Sequence, residues 1–305
     1  MQICADNIVI AKLAFWPIPP PEPDIEIIER QVILKVRVLP VFFSIFLAGC
    51  TCQVKIPNKT YAVQDRGQIA IYDHPIELRF SKPKNAGDSL VIYATGDGGW
   101  RGLDVEIFDW ISGWGYPVVG FSSKSYLKHL EYIGNTTTPR RLVRDFEEII
   151  QFAEQKLGMP KSTRIILAGL SRGAGLTIVA AGEGELKPNL AGVVAVALTK
   201  DEEHVLHYRR RTRSQTNQPD RELVEIQTYE YLPRIDSVPV GVIQSTHDSY
   251  LPAADARILF GPDTETKRLI AVNAKNHRFT GGCLNLYTEL ESTLDWILKL
   301  TVHDK

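Results

Sequence analysis

Arg164-Ile165-Ile166-Leu167-Ala168-Gly169-Leu170-Ser171-Arg172-Gly173-Ala174-Gly175 carries an apolar run directly into a Gly-x-Ser-x-Gly pentad, and the reading of this stretch decides the fold. The spacing predicts a short buried strand ending at Ala168, a sharp reversal through small residues and a helix from about Arg172 to Ala181. That is the strand, turn and helix of a nucleophile elbow. Gly169 and Gly173 are needed because the turn holds the serine in a strained conformation with backbone packed close on both sides, where a Cβ would collide. The strain leaves Ser171 Oγ clear at the carboxyl end of the strand, above a helix N-terminus that favours developing negative charge. Small residues also cluster in ordinary turns, so the rest of the chain has to discriminate.

The 305 residues allow two domains, but α/β folds of about 200 to 250 residues commonly form one, so one catalytic domain with an N-terminal appendage is expected. An apolar fraction of 44% supplies a large core. Lys+Arg of 35 against Asp+Glu of 36 leaves the chain near neutrality, without the electrostatic footprint of a nucleic-acid binder. Cys4, Cys50, Cys52 and Cys283 show no Cys-x-x-Cys spacing with partner histidines. Neither a zinc site nor a thioredoxin-like motif is therefore expected, and no cofactor is required by the chemistry that follows.

Cys50 ends a distinctive segment. Val38 to Gly49 is an apolar run of signal-peptide length, too short to span a bilayer, with Arg30, Lys35 and Arg37 before it as a positive n-region. Leu47-Ala48-Gly49-Cys50 resembles the bacterial lipobox, in which small residues admit the peptidase and the cysteine is lipidated before cleavage. The expectation is a lipoprotein signal peptide over residues 32–50 and a mature chain anchored at Cys50 in a bacterial envelope, facing the periplasm or exterior. Residues 1–31, which include a proline-rich segment, are then expected to be a non-native extension.

Residues 51–87 read as a tether followed by edge strands, with Gln68 to Tyr72 and Ile76 to Phe80 forming a hairpin around Asp73-His74-Pro75. The catalytic domain is expected over 88–305. Ser89 to Thr95 is apolar enough for a strand buried on both faces of a parallel sheet, Leu190 to Leu198 and Val238 to Ile243 read as further buried strands, and Tyr116 to Phe121 and Arg268 to Val272 as the next and last strands. Helices are expected over Leu103 to Trp110, from Thr138-Pro139 through Leu157, and over Tyr287 to Leu300. The alternation implies a mostly parallel sheet with helices on both faces and right-handed crossovers.

A serine nucleophile needs a base within hydrogen-bond reach, itself oriented by a carboxylate. After an elbow serine the expected order is acid and then histidine, in loops beyond later strands. Asp248 lies just past the Val240 to Ile243 run and His277 just past the last strand. His247 is the rival base, but a neighbour of Asp248 in an extended loop points elsewhere. Helix capping ahead of Leu251-Pro252 is the alternative role for Asp248. Gly96-Asp97-Gly98-Gly99-Trp100 follows the first buried strand and lacks both phosphate-binding glycine patterns. In an elbow architecture this loop gives the second oxyanion-hole N–H, beside that of Arg172; Asp97 is the expected donor and Gly98 the alternate.

From about 88 to 300 the chain resembles the α/β-hydrolases. Within them, Gly96-Asp97-Gly98-Gly99-Trp100, Pro117-Val118-Val119-Gly120 and the elbow resemble the VirJ/AcvB bacterial virulence proteins. That resemblance implies an exported protein hydrolysing lysyl-phosphatidylglycerol, an aminoacylated membrane lipid. The sequence departs from the family at Gly175, where an acidic residue tends to follow the Gly-Ala of the elbow. An insertion at 199–236 occupies the place of a cap and carries His207-Tyr208-Arg209-Arg210-Arg211-Thr212-Arg213, either a solvated loop or a contact for anionic headgroups. The expected partners are a lipid or small acyl-ester substrate and the membrane, with no nucleic acid. A non-catalytic envelope binding module and an acyltransferase are the alternative readings of the same residues.

Overall fold

The structure is a computed structural model and describes residues 64–302 apart from 72, 84–85, 133–137, 185, 187–188, 204–224 and 237. The expected signal peptide, Cys50 and the basic run at 209–213 lie outside the described residues.

The elements follow in chain order. A hairpin comes first, β1 (Gln64–Ile71) and β2 (His74–Ser81), turned by Asp73 at φ 62°. Then come β3 (Ser89–Ala94), α1 (Leu103–Gly113), β4 (Val118–Phe121), α2 (Ser123–Tyr132) and α3 (Pro139–Leu157). The elbow joins β5 (Arg164–Leu170) to α4 (Arg172–Gly182), and β6 (Leu190–Val196) follows. A small antiparallel pair, β7 (Asp201–Glu203) and β8 (Glu225–Gln227), leads to β9 (Val240–Ser245), α5 (Ala253–Phe260), β10 (Lys267–Val272) and α6 (Cys283–Val302).

Eight strands form one sheet in the order β1-β2-β4-β3-β5-β6-β9-β10. Strand β2 runs antiparallel to β1 and β4; the pairs from β4 through β10 are parallel. The expected edge hairpin therefore extends the same sheet. Side chains alternate between two buried layers: Leu90, Ile92 and Ala94 of β3 face the layer filled by α3 and α4, while Val91 and Tyr93 face that of α1 and α6. Double-sided burial is why these strands are continuous apolar runs.

Helix α3 shows how local chemistry sets an element. Thr138 Oγ1 accepts the Arg141 N–H at 3.2 Å, Pro139 occupies the first turn, and Gly158 in the left-handed region ends the helix. Its inward stripe of Leu142, Phe146, Ile149 and Ile150 is fully buried. Each such side chain contributes roughly 1.5–3 kcal/mol of burial. The end of the 199–236 insertion also joins the core: Tyr229, Tyr231, Leu232 and Ile235 are buried in the α3–α4 layer. That part fills the interior, whereas 204–224 lies outside the described residues.

Candidate active site

All six parallel strands point their carboxyl ends the same way, and the chemistry-bearing residues collect there. Ser171 follows β5 with φ 52°, a left-handed conformation uncommon for a non-glycine residue and a signature of stored strain. Backbone holds it there: the Ser171 N–H donates to Val196 O at 2.8 Å, and Ser171 O accepts the Gly175 N–H at 3.1 Å. The strand runs two residues beyond the expected end, to Leu170. A Cβ on Gly173 would lie 2.6 Å from Thr95 O and closer still to Ala94 O; one on Gly169 would lie 2.6 Å from Ala174 N. No side chain fits at either position, which is the physical content of the pentad.

The three side chains selected from sequence converge. Ser171 Oγ is 2.8 Å from His277 Nε2, and His277 Nδ1 is 2.7 Å from Asp248 Oδ2. Asp248 is buried at 2% exposure. Its Oδ1 accepts the Tyr250 N–H at 2.8 Å, and Oδ2 also accepts Gln244 Nε2–H at 3.2 Å. The turn-capping role and the His277-orienting role thus belong to the same carboxylate, one oxygen each. With Nδ1–H given to Asp248, Nε2 is left to accept the serine proton. His247, the rival, turns its Nδ1 to Ala274 O at 3.0 Å and to Thr246 Oγ1 at 2.9 Å, away from Ser171.

The His277 loop is knitted into one shape. Asn276 Oδ1 accepts the N–H groups of Arg278 and Thr280 at 3.0 and 3.2 Å, Lys275 N–H donates to Thr280 O at 2.9 Å, and the side chain of Phe279 is fully buried. Tyr250, 71% exposed, sets its ring edge-on to the imidazole with centroids 4.7 Å apart.

The glycine-rich loop lies beside the serine: a Cβ on Gly96 would sit 3.5 Å from that of Ser171. Gly96 cannot serve as an oxyanion donor, because its N–H already donates to Asp104 Oδ1 at 2.8 Å. The following amide, that of Asp97, has no acceptor among the described residues, nor has that of Gly98. The side chains of Asp97 and Arg172 form an ion pair across the gap between loop and elbow, tying together the two backbones expected to hold an oxyanion.

Sequence reasoning missed Asp104, whose carboxylate shapes this loop. It is 5% exposed on α1 and accepts Tyr93 Oη–H at 2.9 Å besides the Gly96 amide. Burial raises its pKa to about 6, partly opposed by those two hydrogen bonds and by Arg101, and further raised by Asp97. An acid in the first turn of a helix reads from sequence as a dipole complement; only the fold brings Gly96 and Tyr93 to it. Among the described residues no cluster of His, Cys, Asp and Glu could hold a metal. A cavity lined by Lys82, Asp88, Ser162 and Arg164 lies at the amino ends of β3 and β5, away from Ser171.

An eight-stranded sheet of this order with an elbow serine after its fifth strand is the α/β-hydrolase fold. Solved structures with that fold superpose on the chain. Est1E from Butyrivibrio proteoclasticus aligns with a TM-score of 0.54 at 11% identity, covering 78% of this chain and 99% of its own. The esterase Pf2001 from Pyrococcus furiosus aligns with a TM-score of 0.54 at 16% identity, covering 77% and 93%. In sequence, residues 88–208 match the family model of the bacterial virulence protein VirJ, in agreement with the resemblance carried by the loop and elbow. No curated protein matches the chain.

Proposed function

We propose that the protein is an exported serine hydrolase that cleaves a carboxylic ester of a lipid, with an aminoacylated phospholipid such as lysyl-phosphatidylglycerol as the substrate implied by the VirJ resemblance. The observation that carries this reading is the unbroken hydrogen-bond chain from Ser171 Oγ through His277 to Asp248, at 2.8 and 2.7 Å.

His277 Nε2 takes the Ser171 proton as Oγ attacks the ester carbonyl carbon. The tetrahedral oxyanion accepts the N–H groups of Arg172 and Asp97, at the N-terminus of α4. Collapse expels the alcohol, protonated by His277 Nε2–H, and leaves an acyl-enzyme on Ser171. A water gives its proton to Nε2, attacks the acyl carbon, and the second collapse returns the proton to Ser171 and releases the acid. Asp248 holds the imidazole tautomer throughout. Losing one oxyanion donor costs about 10²–10³ in turnover.

Lipidation at Cys50 would anchor the domain at the membrane that contains such esters. Cys283 supports an exported location, because it is disulfide-bonded and disulfides persist in oxidising compartments. The test is incubation of the full chain with vesicles containing lysyl-phosphatidylglycerol and unmodified phosphatidylglycerol, with lipids and free lysine followed by mass spectrometry. Release of lysine, abolished by Ser171→Ala, is expected. An intact lipid pool with folded protein would favour a binding module on the hydrolase scaffold.

A further inference from the structure

Strands β3 and β4 are parallel neighbours, with Ala94 opposite Phe121, so the residues that follow their carboxyl ends, Thr95-Gly96 and Ser122-Ser123, meet. Thr95 N–H donates to Phe121 O at 3.1 Å, and Ser123, the first residue of α2, gives its N–H to Thr95 Oγ1 at 3.2 Å. The two hydroxyls converge on one acceptor: Thr95 Oγ1–H and Ser123 Oγ–H each donate to Gly96 O at 3.2 Å. Both residues are fully buried, which strengthens these bonds and keeps bulk water from competing for them. A third donor, the Gly99 N–H at 3.0 Å, closes the glycine-rich turn onto the same oxygen.

That oxygen belongs to the peptide that carries the expected oxyanion donor. Gly96 C=O and the Asp97 N–H share one planar trans unit and point in opposite directions, so whatever fixes the oxygen aims the amide. Asp104 accepts the Gly96 N–H, which fixes only the preceding peptide plane. Between the two planes lies the Cα of a glycine, the least restrained joint a backbone has, and rotation there would swing the Asp97 N–H at little cost. Hydrogen bonds at the carbonyl also polarise the unit and make its N–H a stronger donor. We propose that Ser123 and Thr95 are positioning residues for the oxyanion: through Gly96 O their hydroxyls aim the Asp97 N–H at the oxygen where charge develops on the substrate carbonyl. The assignment rests on the hydrolase reading given above.

Three elements thus act on one short stretch of backbone. Thr95 follows β3, Ser123 starts α2 and Asp104 lies on α1, while Gly96 itself lies against the elbow, where a Cβ on it would sit 3.3 Å from Leu170 O. A donor held in this way lowers the barrier only once charge has moved onto the carbonyl oxygen, because the ground-state ester takes little from it. Acylation and deacylation both pass through an oxyanion, so both slow together when the donor is misaimed. The loss therefore falls on kcat and leaves KM nearly untouched.

The experiment compares the full chain with Ser123→Ala, Thr95→Val and Thr95→Ser on p-nitrophenyl butyrate. Ser123→Ala should lower kcat about 10- to 100-fold, less than a deleted donor, because the Asp97 N–H remains and Gly99 still holds the turn. Thr95→Val, which also takes the acceptor from the Ser123 N–H, should lose at least as much, and KM should stay within about twofold in both. Thr95→Ser keeps the hydroxyl and should restore kcat to within about threefold of the parent. A trifluoromethyl ketone, whose adduct with Ser171 places an oxyanion in the same position, should bind more weakly by the factor that kcat/KM loses. Ser81→Ala is the control for stability: it removes a buried hydroxyl bond to Ser112 at the opposite end of the sheet, and its kcat should stay within about twofold. Losses confined to KM, an equal loss in Ser81→Ala, no recovery in Thr95→Ser, or unchanged ketone affinity each overturn the assignment. An active parent with unaffected variants sinks the positioning role alone, whereas a parent inert to both ester and ketone sinks the hydrolase reading and the role with it.

Discussion

Asp104→Asn separates the electrostatics of the oxyanion loop from its shape. The carboxyl group is 5% exposed and its pKa is raised from 3.8 to about 6, chiefly by burial. Between those values the folded protein holds a proton that the unfolded chain has released, so stability falls as pH rises from about 4 to about 6 and the cost is complete at neutral pH. A shift of about two units corresponds to about 3 kcal/mol. The amide does not titrate, and its oxygen can still accept the Gly96 N–H and the Tyr93 hydroxyl. Denaturant unfolding of both proteins at pH 4 and pH 7.5 isolates this group, because the other titrating groups are common to the two. The loss of stability on raising the pH should be larger in the parent by about 2.5 kcal/mol, short of the full figure because the unfolded carboxyl has already lost more than half of its protons at pH 4. A difference near zero, or of opposite sign, would refute the assignment of Asp104 as a buried acid that carries the cost of its charge. Asp104→Ala leaves both donors unsatisfied and releases the loop; kcat should fall by about 10², the cost of one displaced oxyanion donor.

Gly173→Ala drives a methyl group into the carbonyls of Ala94 and Thr95, and since neither neighbour is a side chain that can turn aside, β3 and α4 must separate. Destabilisation of about 3 kcal/mol or more is expected by thermal unfolding, at the upper end of overpacking costs. Asp248→Asn keeps an acceptor for the Tyr250 amide, yet its NH₂ group would donate to His277 Nδ1 and move the imidazole proton to Nε2, where it blocks the serine. Ester turnover should drop about 10⁴-fold, and the unfolding midpoint should also fall, because the new NH₂ group faces the buried Gln244 Nε2–H in place of its acceptor.

Much of this was legible in the sequence for identifiable reasons. Strands buried on both faces must be apolar throughout, so β3, β5, β6 and β9 stand out as runs, whereas β10 at the sheet edge buries only Leu269 and Val272; the Thr138-Pro139 start of α3 is written in side-chain chemistry. Boundaries blurred where proline intervenes: β4 begins at Val118 and β9 at Val240, each just after a proline without an N–H for the ladder. Two helices escaped notice. Among the described side chains of α2, those of Ser123, Tyr126 and Leu127 are buried, and α5 is eight residues long with exposed Ile258, so neither shows a clean apolar stripe. Terminal helix α6 starts four residues before the expected Tyr287, because Cys283 to Leu286 mixes apolar and polar residues without a cap signal.

For the site, the order of Ser171, Asp248 and His277 after successive strands was readable because the elbow fixes where the others must arrive. The supports were not. Gln244 on Asp248, Tyr250 against His277, the Asp97–Arg172 ion pair and Asp104 beneath the loop join residues that only the folded sheet brings together.

The most direct measurement is the reaction of the folded protein with a fluorophosphonate, which phosphonylates a serine only when a base stands ready to take its proton. Mass spectrometry should place the adduct on the Ser171 peptide, with labelling abolished in Ser171→Ala and slowed about 10⁴-fold in His277→Ala. A folded chain that stays unlabelled, or one modified at a different serine, would contradict the assignment of Ser171, His277 and Asp248 as a working triad.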